Sequence, residues 1–259
     1  MNGAIYAAGA IGLGLTGLAF GDFALQWQPV PKGVPAREAL SVISALALLA
    51  AGLALLWRRS ALYGALALAI MYGLWSFVLK TPALIARPLE MASWLGPAET
   101  LAMAAGGLTL AALTLPTGVT EARMRLTARI AFGLCQPVFG LSHFAYAGFT
   151  AAMVPAWIPG GGMFWAWATG VAHVAGGLAI LSGVQARLAA TLLTLMYAGF
   201  ALLLHAPRVA AAPAAHIEWV MLGIAASICG SAWAIRAGLE PAARPWGFLD
   251  RRDPAAATP

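Results

Sequence analysis

Eight apolar runs, each close to the length of a bilayer crossing, leave this chain few ways to fold: residues 5–26, 40–57, 62–79, 95–115, 126–147, 164–181, 188–204 and 217–235. A helix needs about 20 apolar residues to cross the hydrocarbon core. Lipid offers the backbone no hydrogen-bond partners, so each run is expected to be helical despite its glycine, threonine and β-branched content. Charge points the same way. Only 9% of the residues are charged and 61% are hydrophobic, against roughly 25% charged in a soluble domain, so water cannot be the solvent for most of the surface. The expected fold class is all-α, a polytopic membrane protein of eight transmembrane helices. In 259 residues that leaves no room for a separate soluble domain.

The start, Met1-Asn2-Gly3-Ala4-Ile5, places no basic segment ahead of its apolar run, which reads as a retained first span and not a cleaved signal. Cys135 and Cys229 sit in different runs without a CxxC and read as small buried side chains. A net charge of +6 would suit nucleic acid only if the basic residues clustered; they lie in loops between spans, and no nucleic-acid partner is expected. With the N-terminus inside, Arg58, Arg59, Arg123, Arg125, Arg129, Arg187, Arg236, Arg244, Arg251 and Arg252 face the inner side. Lys32, Arg37, Lys80, Arg87 and Arg208 face the outer side. Ten against five is the asymmetry of the positive-inside rule. The expected location is the inner (plasma) membrane, multi-pass, with both termini cytoplasmic.

The sequence also repeats itself. At a shift of 125 residues, Ala51-Gly52-Leu53-Ala54 falls on Gly176-Gly177-Leu178-Ala179 and Met71-Tyr72 on Met196-Tyr197. Lys80-Thr81-Pro82 then meets His205-Ala206-Pro207, Pro88 meets Pro213, and Trp94 meets Trp219. Near the first helix the register slips, so that Pro31 and Pro35 meet Pro155 and Pro159, and Asp22-Phe23 meets His143-Phe144. Coincident alanines and leucines are cheap in such a chain, but coincident Trp, Tyr, Met and Pro are not. The expected organisation is a four-helix unit over residues 1–120, a second over 121–238, and a disordered cytoplasmic tail over 239–259. Four spans per unit give both the same orientation, related by a pseudo-two-fold axis along the membrane normal.

The stretch Gly140-Leu141-Ser142-His143-Phe144, the loop Val154-Pro155-Ala156-Trp157-Ile158-Pro159 and the helix start Phe164-Trp165-Ala166-Trp167 resemble the DoxX-like membrane family. So do Gly176-Gly177-Leu178, Arg187-Leu188-Ala189-Ala190 and the end His205-Ala206-Pro207-Arg208. The resemblance covers residues 126–236, and the first half looks like a diverged copy with Asp22 and Lys80 where the second has histidines. It implies a four-helix membrane unit. Through the family's association with quinone-linked sulfur oxidation it also implies a redox-associated subunit, a quinone as ligand and a redox partner.

Ionisable side chains in lipid are costly and mark function by default. In the second half they are His143, His173, His205, His216 and Glu218. Counting along helices puts His143 and His173 at matching depth in the outer half of the bundle. His143, His173 and Glu218 are expected to converge on one water-accessible pocket as catalytic candidates. His205, Arg208 and His216 would bind ligand at its rim, and Trp157, between two prolines, would be its lid. The first half's Asp22, Lys80 and Glu99 would form a differently charged structural counterpart, paired through Lys80 or Arg87. The tryptophans fall near span ends and read as interfacial belts.

Several chemistries compete for that pocket. It could bind a quinone or similar small amphiphile, His143 hydrogen-bonding a carbonyl. Paired axial histidines could hold haem, which the lack of a CxxCH motif disfavours, and no metal site is read. Acid–base catalysis on a lipid-soluble substrate would use His143 with Glu218, or Asp22 and Glu99. A non-enzymatic assembly or transport role stands beside these. The expected partners are the lipid bilayer, a small amphiphile and a redox subunit.

Overall fold

The computed structural model describes residues 3–239, and among these the chain is helical throughout, with no strand. The expected tail lies outside the described residues. Helix α1 runs Ala4–Phe20, α2 Arg37–Leu56, and α3 Ala61–Leu74, the last passing through a π-helical stretch, Trp75–Lys80, into α4, Thr81–Ala86. Next come α5, Met91–Ala112, α6, Val119–Ala145, a short α7, Ala147–Met153, and α8, Gly161–Ser182. Helix α9, Ala186–Gly199, passes through a second π-helical stretch, Phe200–His205, into α10, Ala206–Ala211, and α11, His216–Gly238, follows.

Five of these helices are long and apolar enough to cross a membrane: Arg37–Leu56, Ala61–Ala86, Gly161–Ser182, Ala186–Ala211 and His216–Gly238. The chain is an integral membrane protein. Their outer faces carry exposed Leu, Ile, Val and Phe side chains, such as Leu53, Ile70, Val171 and Leu195, which lipid covers without the penalty water would impose. Helix α1 is apolar but only 17 residues long. It ends at Phe20, short of residue 26, because Gly21 turns left-handed (φ 65°) and a single 3-10 turn, Leu25–Trp27, follows.

Helices α5 and α11 run through the middle of the bundle. Both are buried along most of their length and touch at Gly106, whose missing side chain makes room for Ser231. Helix α6 lies against α8 in the same manner. A Cβ on Gly140 would come 2.6 Å from the Gly170 carbonyl, and one on Gly177 would come 2.8 Å from the Pro137 ring. Small residues thus bring backbones together where no hydrophobic drive between helices exists. Arginines close the helix ends: Arg129 donates to the Ile180 and Leu181 carbonyls of α8, and Arg125 Nε to Gly238 of α11 at 2.7 Å. These carbonyls have no partner within their own helix.

Two local devices set the geometry of the helix mouths. Trp94, Trp165 and Trp219 each donate an indole N–H to the carbonyl of the proline six residues earlier, Pro88, Pro159 and Pro213, at 2.8, 2.8 and 2.9 Å. Each clamp fixes how the chain enters α5, α8 or α11. The π stretches have prolines as their cause. Pro82 and Pro207 lack an N–H, and their rings would strike the carbonyl four residues back in an α-helix. The wider turn avoids the clash; the N–H of Thr81 then bonds the Ser76 carbonyl and that of Ala206 the Ala201 carbonyl.

Candidate functional site

A cavity of about 1120 Å³ lies between α5, α6, α8, the α9–α10 helix and α11, with α7 and its following loop along one side. That is somewhat larger than the usual small-molecule site. Its walls are mostly apolar, including Leu95, Phe139, Met196, Phe200, Leu203 and Ile224. Phe149, Met153 and Trp157 line it from α7 and the loop after it, and Trp157 is largely exposed on its other side.

His143, in the last turn of α6, and His173, midway along α8, face each other in this wall with ring centroids 5.1 Å apart. Their hydrogen-bond partners assign their tautomers. Thr169 Oγ1 spends its proton on the Trp165 carbonyl at 2.7 Å, so at 2.8 Å it accepts from His143 Nδ1–H. Gln136 directs its amide nitrogen to the Phe132 carbonyl, which turns Oε1 toward His173. That oxygen accepts from Tyr197 OH at 2.7 Å and from His173 Nδ1–H at 3.1 Å. With Tyr197 OH also 3.2 Å from His173 Nδ1, this network assigns both rings the proton on Nδ1, and each Nε2 is then an acceptor without a hydrogen-bond partner among the described residues. Rings this close, at 63° to each other, leave no slot for a haem macrocycle between them. Among the described residues no group of three His, Cys, Asp or Glu side chains could hold a metal ion.

His205 closes the second π stretch and is buried, its Nδ1 without a partner among the described residues. Arg208 and Glu218 also line the cavity, but they hold each other in a two-pronged ion pair at 2.8 and 2.7 Å. Both Glu218 oxygens are engaged, so the carboxylate ties α10 to α11 and is not a free acid or base. It lines the cavity with His143 and His173, as the sequence led one to expect.

The first half contributes to this same cavity. Lys80 and Glu99 line it together with Trp27. Glu99 Oε2 accepts from Trp27 Nε1 at 2.7 Å. The Lys80 side chain lies across Gly96, where a Cβ would sit 2.8 Å from Nζ. The expected separate counterpart site is replaced by one shared wall, and Trp27, read as a belt residue, is buried. Asp22 and His216 lie elsewhere. Asp22 follows α1 in a turn and pairs with Arg37 at 2.8 Å, not with Lys80 or Arg87, while Arg87 pairs with Glu90. Partial burial pushes the Asp22 carboxyl up, but the Phe23 N–H and the Arg37 guanidinium outweigh it and hold it below the usual carboxylate range. The His216 ring stacks on Phe20 at 4.5 Å. Two residues on a helix turn about 200°, so with Glu218 facing the cavity, His216 faces α1.

Gln136, Thr169 and Tyr197, which orient the two histidines, were not expected from the sequence. The signal available was a glutamine amid an apolar run directly before Pro137. Comparison with known families bears on this region: the DoxX family model matches residues 124–206. Residues 124–206 are thus similar to a DoxX domain. No curated protein and no solved structure matches the chain. His143 and His173, with the three residues that orient them, and His205 fall inside the matched region, whereas Trp27, Lys80, Glu99, Arg208 and Glu218 complete the cavity from outside it.

Proposed function

We propose that this is an eight-span protein of the inner (plasma) membrane whose DoxX domain binds a small ring-bearing amphiphile, a quinone or its quinol, as part of a redox-associated membrane subunit. The observation that carries the reading is the pairing of a large apolar cavity with two adjacent histidines that keep Nε2 free. An apolar body fills the greasy walls, and the histidines meet the polar head. The architecture in this reading is two tandem four-helix units, 1–120 and 121–238. Three features recur 125 residues apart in its support: the π stretches, the Pro–Trp clamps of α5 and α11, and the edge-on pairs Tyr72–Trp75 and Tyr197–Phe200. Both termini face the cytoplasm, and the arginines that close α8 and α11 lie on that side.

Purification in mild detergent, with an absorbance spectrum and mass spectrometry of extracted lipids, tests the ligand. A quinone or related amphiphile retained by the wild type and lost from His143→Ala/His173→Ala is the expected result. Retention of the same lipids in equal amount by both proteins would overturn it. The free Nε2 atoms also suit acid–base work on a lipid-soluble substrate, which would appear as chemical change in an added substrate.

A further inference from the structure

We propose that the head-group site is built from both halves of the chain, and that Glu99 and Lys80 together with His143 and His173 select a hydroxylated ring over its carbonyl form. This rests on the amphiphile reading above and names the ligand's chemistry.

The selection follows from what the wall leaves unpaired. His143 and His173 offer bare Nε2 lone pairs, because Thr169 and Gln136 hold their Nδ1 protons. A carbonyl oxygen brings another lone pair to those atoms and makes no bond; a hydroxyl donates. In the lining of the same cavity, one Glu99 oxygen is held by Trp27 and the other has no partner among the described residues. Lys80 lines the same space and forms no ion pair with Glu99 within 4.0 Å among the described residues. A hydroxyl between them accepts from the ammonium and donates to the carboxylate, whereas a carbonyl satisfies the lysine alone. Covering that acceptor with a ring that leaves it unpaired is costly. Gly96 is part of the device, since any side chain there would push Lys80 off its track.

The test uses the full chain in nanodiscs, kept anaerobic. An n-alkyl hydroquinone and the benzoquinone of the same alkyl length are titrated by calorimetry. The hydroquinone should bind at least about tenfold more tightly. In Glu99→Gln, which keeps the size and the bond to Trp27, that preference should shrink to about threefold or less. Lys80→Met should weaken hydroquinone binding, and Gly96→Ala should reproduce it in part. Equal binding of the two probes, tighter binding of the benzoquinone, or a preference unchanged in Glu99→Gln would overturn this inference and leave the amphiphile reading standing. If neither probe binds, the amphiphile reading itself fails.

Discussion

At the scale of single residues the two histidines are held by neutral polar side chains. Gln136 is fully buried and receives both the Tyr197 hydroxyl and the His173 N–H. Gln136→Leu would strand two donors, and we expect a loss of about 2 kcal/mol or more, read as a lower melting temperature in detergent. Thr169→Val should spare the fold, since Thr169 is only half-buried, but free His143 to change tautomer and weaken amphiphile binding about tenfold. Asp22 supplies a pH dependence. Its folded pKa is depressed, so its contribution is complete above about pH 4 and fades as pH falls through the lower folded value. The pair with Arg37 is part-exposed and worth under about 1 kcal/mol. Asp22→Asn should speed proteolysis in the 21–36 loop at pH 7, and the difference from wild type should vanish in strong acid. The histidines were legible in the sequence because charge in lipid draws notice. Gln136, Thr169 and Tyr197 were not, because a neutral side chain declares its role only through its partner on another helix.

At the scale of elements, prolines and glycines decide the geometry. Pro207→Ala removes the clash that widens the helix ahead of it. The stretch Phe200–His205 should then relax to α-helix and rotate His205 by about 100°. Ligand affinity should fall while helix content by circular dichroism holds or rises. Gly140→Val would drive a side chain into the Gly170 carbonyl and cost about 1–3 kcal/mol, visible as loss of a monodisperse peak on size-exclusion chromatography. The apolar runs located the helix bodies well, since lipid and the buried core select the same residues. Helix ends were harder. Gly21 stops α1 before the apolar run does, and α6 begins at Val119, in a basic stretch where hydropathy gives no sign of helix.

At the scale of the whole molecule, the least legible fact was that one cavity serves both halves. A sequence repeat suggests a site per copy, and only packing shows Lys80 and Glu99 turned into the wall that holds His143 and His173. Orientation is open to direct test: cysteines at the exposed positions Gly33 and Ala156 should react with an impermeant thiol reagent in intact cells, and one at Thr120 should not. Labelling at Thr120 would reverse the topology. The central claim, that the cavity binds an amphiphile against the two histidines, is tested most directly by photoaffinity labelling. An alkyl hydroquinone bearing a diazirine on its tail is irradiated with the membrane-embedded protein, and the adducts are mapped by peptide mass spectrometry. Adducts at cavity residues such as Phe139, Met196 and Leu203, removed by excess unlabelled hydroquinone and absent from His143→Ala/His173→Ala, are the predicted result. Adducts confined to lipid-facing residues such as Leu53 and Ile70, and unaffected by competitor, would contradict it.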